Sequence, residues 1–353
     1  MNQGLNKQTD QESHKNTATF LLTKQPRGNF SPNGHDIKIV IVGSGHTGIA
    51  VAISILFKRL ASELILIDKN ENLAKAQAED IGHVAGFLGN PKIVGTKDYS
   101  LARDATVCVI TACAGADHIA EKKSSLLLEN LNIFKSVIPN VCKFAPNSIL
   151  VVVSHPVDIL SYATMKFSGF PSNRVIGLGT FLDSCRFQYF ISRKLGVSAS
   201  SVQALVVGEN GPSSVPVWST VSVMGIKLKD INKEIGSQTD PENWSDLHSK
   251  VISSSFDITK KKGYCNWGVG ICASEIVDAI VRNTCVCITV STFLQGCRHG
   301  FEKDVFMSLP CIVGRSGVQS YVRHLYTKEE QELILKSCKN IYEAQQPILE
   351  QLE

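Results

Sequence analysis

Three glycines in a short loop, Gly43, Gly45 and Gly48, carry the first chemical signal in the chain. In this spacing the first glycine turns the chain off a strand, the second lets a phosphate approach the backbone, and the third lets a helix pack closely. A helix that begins here offers free N–H groups and a positive dipole end to a diphosphate. The loop therefore predicts a dinucleotide-binding site, which His46 and Thr47 would also contact.

An acidic residue, Asp68, follows the last glycine by about 20 residues and ends the apolar run 63–67. A carboxylate at this place would hold the ribose hydroxyl pair of the nucleotide. It would also repel a 2′-phosphate, which favours NAD over NADP. The alternative is a glycine-rich turn that binds nothing. The strand before the loop, the helix after it and the acid all argue against that alternative.

Short apolar runs rich in Val and Ile should position these residues. They lie at 37–42, 63–67, 92–95, 106–111, 149–153 and 175–178, with helical patterns between them. Runs that are apolar on both faces are typical of buried parallel strands. Their alternation with helices predicts an α/β fold with a doubly wound parallel sheet. Ligands then lie at the carboxyl ends of the strands, where Thr111, Ala112 and His155 should line one crevice.

The second half of the chain is less regular. Its pattern predicts a helix from about Asp183, a β-run at 202–207, helices over about 242–262 and 270–284, β-runs at 286–292 and 304–313, and a helix from about 327 to 352. We expect three parts: a mobile polar arm over 1–35, a dinucleotide-binding domain over 36–179, and an α+β substrate domain over 180–353.

Composition limits the class of protein. A chain of 353 residues can bury a sizeable core, and its net charge of +4 is too small and scattered to argue for nucleic acid or a membrane. No apolar run reaches the ~18 residues of a membrane span, and the N-terminus lacks the apolar core of a secretion signal. The eleven cysteines lack metal-ligand spacing. We therefore expect reduced thiols, a cytoplasmic location and no metal.

From Ile37 to its C-terminus the chain resembles the L-lactate and malate dehydrogenase family, and its lactate branch most closely. The matching motifs lie at 43–48, 52–56, 132–135, 138–141, 156–160, 169–171, 182–184, 186–187, 213–219, 305–306, 308–312 and 314. The resemblance implies a Rossmann domain followed by the family's α+β domain. It also implies NAD as cofactor, hydride transfer between NAD and a 2-hydroxy or 2-keto acid such as lactate or pyruvate, and assembly as dimers of dimers.

The resemblance also assigns roles to residues of the second half. Asp183 matches the aspartate that orients the family's catalytic histidine, and Arg186 matches the arginine that holds the substrate carboxylate. Their i, i+3 spacing puts both on one helix face. The alternative is that the two side chains merely pair with each other. Cys265 stands where a threonine usually contacts the substrate, and His155 where an asparagine lies near the nicotinamide.

Other parts of the family's catalytic machinery are missing. Asn210 replaces the catalytic histidine, and an amide has no pKa near 7 with which to exchange a proton. The arginine of the closing loop is absent; Lys122 or Lys123 lies nearest its position and keeps the charge without the planar fork. Pro212 replaces an aspartate. Cys113 replaces a glycine and would bring a side chain towards the diphosphate.

These departures gather at the reacting centre, and three interpretations stay open. The first, which we favour, is a dehydrogenase-like protein that binds NAD but is weakly active or inactive, because losing a positioned acid–base costs ~10²–10⁴ in rate. The second is a working enzyme in which His155 has taken over proton transfer; the alternative for that histidine, which we favour, is that it only fills space or bonds to the backbone. The third is a non-catalytic subunit, in homo-oligomers or in mixed oligomers with active relatives.

Overall fold

The computed structural model describes residues 37–114, 123–295, 303–349 and 351–352. The predicted arm over 1–35 lies outside these residues. So does most of the segment 116–123, where the family resemblance places the loop that sets substrate preference and where the sequence matches neither the lactate nor the malate pattern. Lys122 is likewise outside them. Lys123 is described only as the first backbone residue of a helix, so its suggested replacement of the loop arginine stays a prediction.

A parallel sheet forms the first half of the described chain and confirms the predicted strands. Its strands are β1 (Lys38–Val42), β2 (Glu63–Ile67), β3 (Lys92–Thr96), β4 (Val107–Ile110), β5 (Ile149–Val152) and β6 (Val175–Gly177). They lie in the order β3-β2-β1-β4-β5-β6, and neighbours run parallel. The order reverses between β1 and β4, so the ligand crevice is expected above their carboxyl ends.

Helices cover both faces of this sheet. They are α1 (His46–Phe57), α2 (Glu71–Gly82), α3 (Lys123–Phe144) and α4 (Val157–Ser168). In α3 the side chains of Leu131, Phe134 and Ile138 are completely buried, at the three-and-four spacing of a helix that packs on one side. The predicted doubly wound α/β arrangement is therefore confirmed.

The second half adds helices and an antiparallel extension of the same sheet. The helices are α5 (Phe181–Leu195), α6 (Leu228–Ile231), α7 (Asp246–Lys262), α8 (Trp267–Arg282) and α9 (Lys328–Leu349). The strands are β7 (Val202–Gln203), β8 (Val206–Val207), β9 (Val215–Pro216), β10 (Ser222–Val223), β11 (Ile226–Lys227), β12 (Val286–Leu294), β13 (Val305–Gly314) and β14 (Gly317–Tyr321). Antiparallel strands β12, β13 and β14 continue the sheet beyond β6, where Ser291 pairs with Gly177.

Several local details differ from the sequence prediction: the short elements α6, β9, β10 and β11 were not predicted, and α7 begins at Asp246 rather than at about 242. The run 202–207 is split, because β7 pairs with β10 whereas β8 pairs with β9. Helix α8 begins at Trp267, three residues before the apolar pattern starts. Strand β14 was not predicted; its first residue, Gly317, has φ +90° directly after the tight turn at 315–316. None of these differences alters the sheet order.

Two apolar cores hold the second half in place. The larger one lies around the nine-stranded sheet, and a smaller one packs beneath α5 and α7. Phe187 and Ile191 of α5 are completely buried in the smaller core. This fixes the helix so that Asp183, near its N-terminus, lies at the crevice. The domain boundary expected at residue 179 stays a prediction. None of the described helices combines the length and apolar character that crossing a bilayer requires.

Candidate active site

The three glycines of the loop have different surroundings. Gly43 has φ +106°, and its N–H donates to the Ile67 carbonyl at 2.7 Å. A Cβ on Gly48 would overlap the carbonyl oxygen of Gly43, so only glycine allows α1 to lie so close to the loop. A Cβ on Gly45 would meet none of the described residues within 4 Å. Gly45 therefore borders open space, as a loop that receives a diphosphate requires.

Two further groups complete this half of the crevice. No described side chain caps α1, which leaves the donors of its first turn available to an anion. The carboxylate of Asp68 accepts hydrogen bonds from the N–H of Ser44 at 2.7 Å and of Asn70 at 2.9 Å. Each carboxylate oxygen keeps a free lone pair, so Asp68 can still accept from ribose hydroxyls.

The segment after β4 supports the glycine loop. The Thr111 hydroxyl hydrogen-bonds to the carbonyls of Gly43 at 2.9 Å and Val42 at 3.1 Å, so its side chain holds the loop from below. The Ala112 carbonyl accepts from the Ser154 hydroxyl at 2.7 Å. Thr111 and Ala112 thus shape the loop through hydrogen bonds within the protein. The side chain of Cys113 is exposed at the end of this segment.

His46 and Thr47 begin α1. The exposed imidazole of His46 stacks on the ring of Tyr264, with ring centroids 4.0 Å apart and an interplanar angle of 8°. The ammonium of Lys262 lies 4.5 Å from the centroid of Tyr264. The Asn266 side chain donates to the His46 carbonyl at 3.3 Å. Residues 262–266 thereby tie the diphosphate side of the crevice to the start of α8.

Asn210 lies at the centre of the second half of the crevice. Its side-chain Nδ2 donates to Asp183 Oδ2 at 2.8 Å and to the Gly179 carbonyl at 3.0 Å. Its backbone N–H donates to Asp158 Oδ2 at 2.8 Å. The residue follows β8, whose neighbour Gly208 pairs with Ser308 of β13. Asn210 is therefore fixed by both its backbone and its side chain.

Arg186 pairs with the other oxygen of the same carboxylate. One terminal nitrogen donates to Asp183 Oδ1 at 2.9 Å, and the other lies 3.8 Å from Cys265 Sγ. The side chain is only 13% exposed. The pairing of Asp183 with Arg186 is thus present in the structure. A guanidinium carries five N–H donors, so Arg186 keeps donors for a substrate carboxylate.

Burial controls the acidity of both carboxyl groups. It raises the pKa of Asp158 to about 7, against the hydrogen bonds from Ser291 Oγ at 2.5 Å and from Asn210 N, while Glu209 and Asp183 raise it further. Burial also raises the pKa of Asp183, and the charge of Arg186 and the hydrogen bonds to Arg186 and Asn210 oppose this shift.

His155 lies exposed on the crevice at the carboxyl end of β5. Its pKa is lowered, first because the part of the ring that faces the protein is desolvated, which disfavours the charged form, and second because of the positive charge of Arg186. The ring is therefore neutral near pH 7. Its backbone carbonyl accepts from Asn130 Nδ2 at 2.8 Å, and Asn130 Oδ1 accepts from the N–H of Ala114 at 2.7 Å.

Comparison with known proteins places the chain in one family. Residues 37–177 match the lactate/malate dehydrogenase NAD-binding domain, and residues 180–351 match the lactate/malate dehydrogenase α/β C-terminal domain. The chain belongs to the lactate/malate dehydrogenase family. It is 42% identical over 314 residues to the L-lactate dehydrogenase A-like 6A of Homo sapiens, covering 89% of this chain and 94% of that relative. It is 43% identical over 317 residues to the L-lactate dehydrogenase A chain of Danio rerio, covering 90% and 95%.

Within this dehydrogenase fold, the structure brings most of the predicted site residues to one crevice. Gly43, Gly45, Gly48 and Asp68 line the nucleotide side, and the residues from His46 to Thr47 lie beside them. Asp183, Arg186, Asn210 and Cys265 form one connected group on the substrate side. The dinucleotide would be held by the glycine loop, the first turn of α1 and Asp68. Their open space and free acceptors fit that group.

Sequence reasoning missed three residues that support the dehydrogenase crevice. Asn130 joins the segment after β4 to His155, and Asp158 and Ser291 hold the backbone of Asn210. A polar residue on the buried side of a helix was the available signal. Asn130 lies between the buried residues Leu127 and Leu131, and it is itself almost completely buried. Ser291 gave no such signal, because it lies in an apolar strand.

Proposed function

We propose that this chain is an L-lactate-dehydrogenase-like protein that binds NAD and a small 2-hydroxy or 2-keto acid but reduces pyruvate poorly or not at all. The observation that carries the proposal is the placement of Asn210. Its amide lies 2.8 Å from the orienting carboxylate of Asp183, where the family has its proton-exchanging histidine. An amide neither gains nor loses a proton near pH 7, so this position cannot act as a general acid or base.

The nucleotide side of the crevice supports retained cofactor binding. When bound, NAD supplies the hydride chemistry. The chain itself would hold the diphosphate with the backbone at Gly45 and the first turn of α1. It would hold the ribose hydroxyls with Asp68, whose charge disfavours NADP. Among the residues that the structure describes, none makes a contact with these groups that would exclude a dinucleotide.

The substrate side supports binding without efficient catalysis. Arg186 would hold the carboxylate of the acid, while Asp183 fixes the guanidinium and the amide of Asn210 on its two oxygens. A missing positioned acid–base lowers the rate ~10²–10⁴-fold. A missing oriented cation costs ~10²–10³-fold more. Binding and turnover should therefore be separable in this protein.

A titration and a rate measurement on the same preparation test this proposal. We expect NADH fluorescence to change saturably as protein is added. We expect pyruvate reduction, followed at 340 nm, to be at least ~10²-fold slower than that of an ordinary lactate dehydrogenase assayed alongside. Turnover comparable with the ordinary enzyme refutes the proposal, and so does the absence of any NADH binding.

A second candidate is an active enzyme that uses His155 for proton transfer. The observations that favour it are the exposed position of the ring at the end of β5 and a pKa that keeps it neutral near pH 7. A neutral imidazole can accept a proton from a hydroxyl group. Turnover that disappears in His155→Ala but survives in Asn210→Ala would establish this candidate. Absence of turnover in the unmodified protein excludes it.

Assembly with another subunit is the third part of the proposal. Large apolar side chains stay exposed on α1, α7 and α8, among them Phe57, Phe256, Trp267 and Ile271. Such side chains are typical of surfaces that another chain covers. The free thiols of the described cysteines are consistent with a reducing compartment such as the cytoplasm. Light scattering should give an oligomer mass, and co-expression with an active relative should give mixed oligomers. A monomer under both conditions contradicts this part.

A further inference from the structure

The orientation of the Asn210 amide is fixed by its neighbours. Nδ2 faces two oxygen atoms, Asp183 Oδ2 and the carbonyl of Gly179, and donates one hydrogen to each. A flipped amide would place Oδ1 against those oxygens. The Gly179 carbonyl can never donate a hydrogen bond, so the flip would lose at least one bond and create an oxygen–oxygen contact.

This orientation determines which atom Asn210 offers to a ligand. Both hydrogens of the amide are used, so only Oδ1 remains, and it can only accept. Among the described residues no donor reaches Oδ1, and Oδ1 is absent from the buried atoms that lack a partner. The amide oxygen is therefore accessible from the crevice.

We propose that Asn210 makes this crevice selective for 2-hydroxy acids over 2-keto acids. The inference rests on the proposed function and adds the class of ligand that the same site retains. The hydroxyl of a 2-hydroxy acid can donate to Asn210 Oδ1 while Arg186 holds its carboxylate. The oxygen of a 2-keto acid is only an acceptor and would face another acceptor there, which disfavours its binding.

The selected ligand would remain unreacted. Asn210 accepts a hydrogen bond from the hydroxyl but cannot remove its proton, so the hydroxyl oxygen keeps that proton. The complex with NAD⁺ would therefore accumulate instead of proceeding to products. The site would act as a receptor for a hydroxy acid in the presence of the oxidised cofactor.

A ligand series on the unmodified protein tests the selectivity. L-Lactate, propionate and pyruvate are titrated separately by calorimetry at a fixed saturating concentration of NAD⁺. Propionate has the carboxylate alone and serves as the reference. We expect L-lactate to bind roughly 3- to 10-fold more tightly than propionate, as one added hydrogen bond allows, and pyruvate to bind no more tightly than propionate. Pyruvate binding as tight as L-lactate overturns the proposal, and so does failure of all three to bind.

Variants at the same position give a second readout. In Asn210→Ala the affinity for L-lactate should fall to that for propionate. In Asn210→His a protonated ring can donate, so the preference should move towards pyruvate as the pH is lowered. Asn140→Ala serves as the matched control, because Asn140 is exposed on α3 and its side chain donates a hydrogen bond to the Ser136 carbonyl of the same helix. It should leave the preference unchanged.

The two proposals fail in distinguishable ways. Rapid pyruvate reduction by the unmodified protein refutes the proposed function. Slow reduction together with equal or tighter pyruvate binding leaves the proposed function standing and refutes only the selectivity. Circular dichroism of each variant separates loss of a contact from loss of the fold.

Discussion

Asn210→His is the substitution that tests the catalytic argument most directly. In both side chains a nitrogen is bonded to Cγ, so the Nδ1–H of a histidine at this position can take the place of Nδ2. It would then donate to Asp183 Oδ2, which lies 2.8 Å from Nδ2 in the unmodified protein. The backbone would stay anchored through the 2.8 Å hydrogen bond to Asp158. The second ring nitrogen would then project into the crevice.

The size of the gain follows from what the substitution restores and what it leaves missing. A positioned general acid–base contributes ~10²–10⁴ in rate. The loop arginine stays absent, and the imidazole loses the bond that Nδ2 makes to Gly179. We therefore expect the lower end of this range, an increase of about 10²-fold in kcat/KM for pyruvate reduction. The rate should stay below that of an ordinary lactate dehydrogenase.

Steady-state rates at 340 nm over pH 5 to 9 measure this gain. The rate of Asn210→His should fall as the pH rises through the pKa of the new histidine, because only the protonated ring can donate to the keto oxygen. Asn210→Gln is the control, since it keeps an amide and should show no gain. An unchanged rate in a folded Asn210→His variant with normal NADH affinity would refute the argument.

Three further predictions concern the cofactor loop and the buried carboxyl group. Gly45→Ala should fold normally but weaken NADH binding, because its methyl group enters the space left for the diphosphate. Gly48→Ala should instead lower the unfolding temperature, because its methyl group overlaps the Gly43 carbonyl. Fluorescence titration with NADH and thermal unfolding curves distinguish the two variants. Asp68→Asn should weaken NADH binding and reduce the ratio of NADH affinity to NADPH affinity, as parallel titrations of the two cofactors would show. Burial raises the Asp158 pKa to about 7, so the folded state holds a proton there that the unfolded state releases from about pH 4 upwards. Its contribution to stability should therefore fall between about pH 4 and 7 and stay constant above, and Asp158→Asn should remove this slope in urea unfolding curves.

The fold could be predicted from the sequence because its strongest signals are local. Short runs such as 37–42 and 149–153 are apolar on both faces. This pattern is typical of parallel strands that are buried on both sides of a sheet. The glycine spacing then fixed the place of the crevice. Strands such as β7 and β8 were harder to predict, because each has only two residues and forms by pairing with a strand that is distant in the chain.

The site could be predicted only in part, because its contacts also join residues that are distant in the chain. The sequence showed which residue types were present at 183, 186 and 210, and the family resemblance suggested their roles. It could not show that Asp183 uses one oxygen for Arg186 and the other for Asn210. That sharing determines which way the amide points, and it arises from contacts among segments that the chain brings together only on folding.

The pairing of Gly177 with Ser291 has a mechanical consequence. It joins the cofactor half and the acid-binding half in one continuous sheet, so a hinge motion that separates the two halves would have to break this pairing. We therefore expect a small ligand to be bound by the segments above the sheet, without a rotation of the two halves. Small-angle scattering should accordingly record the same radius of gyration with and without cofactor and hydroxy acid.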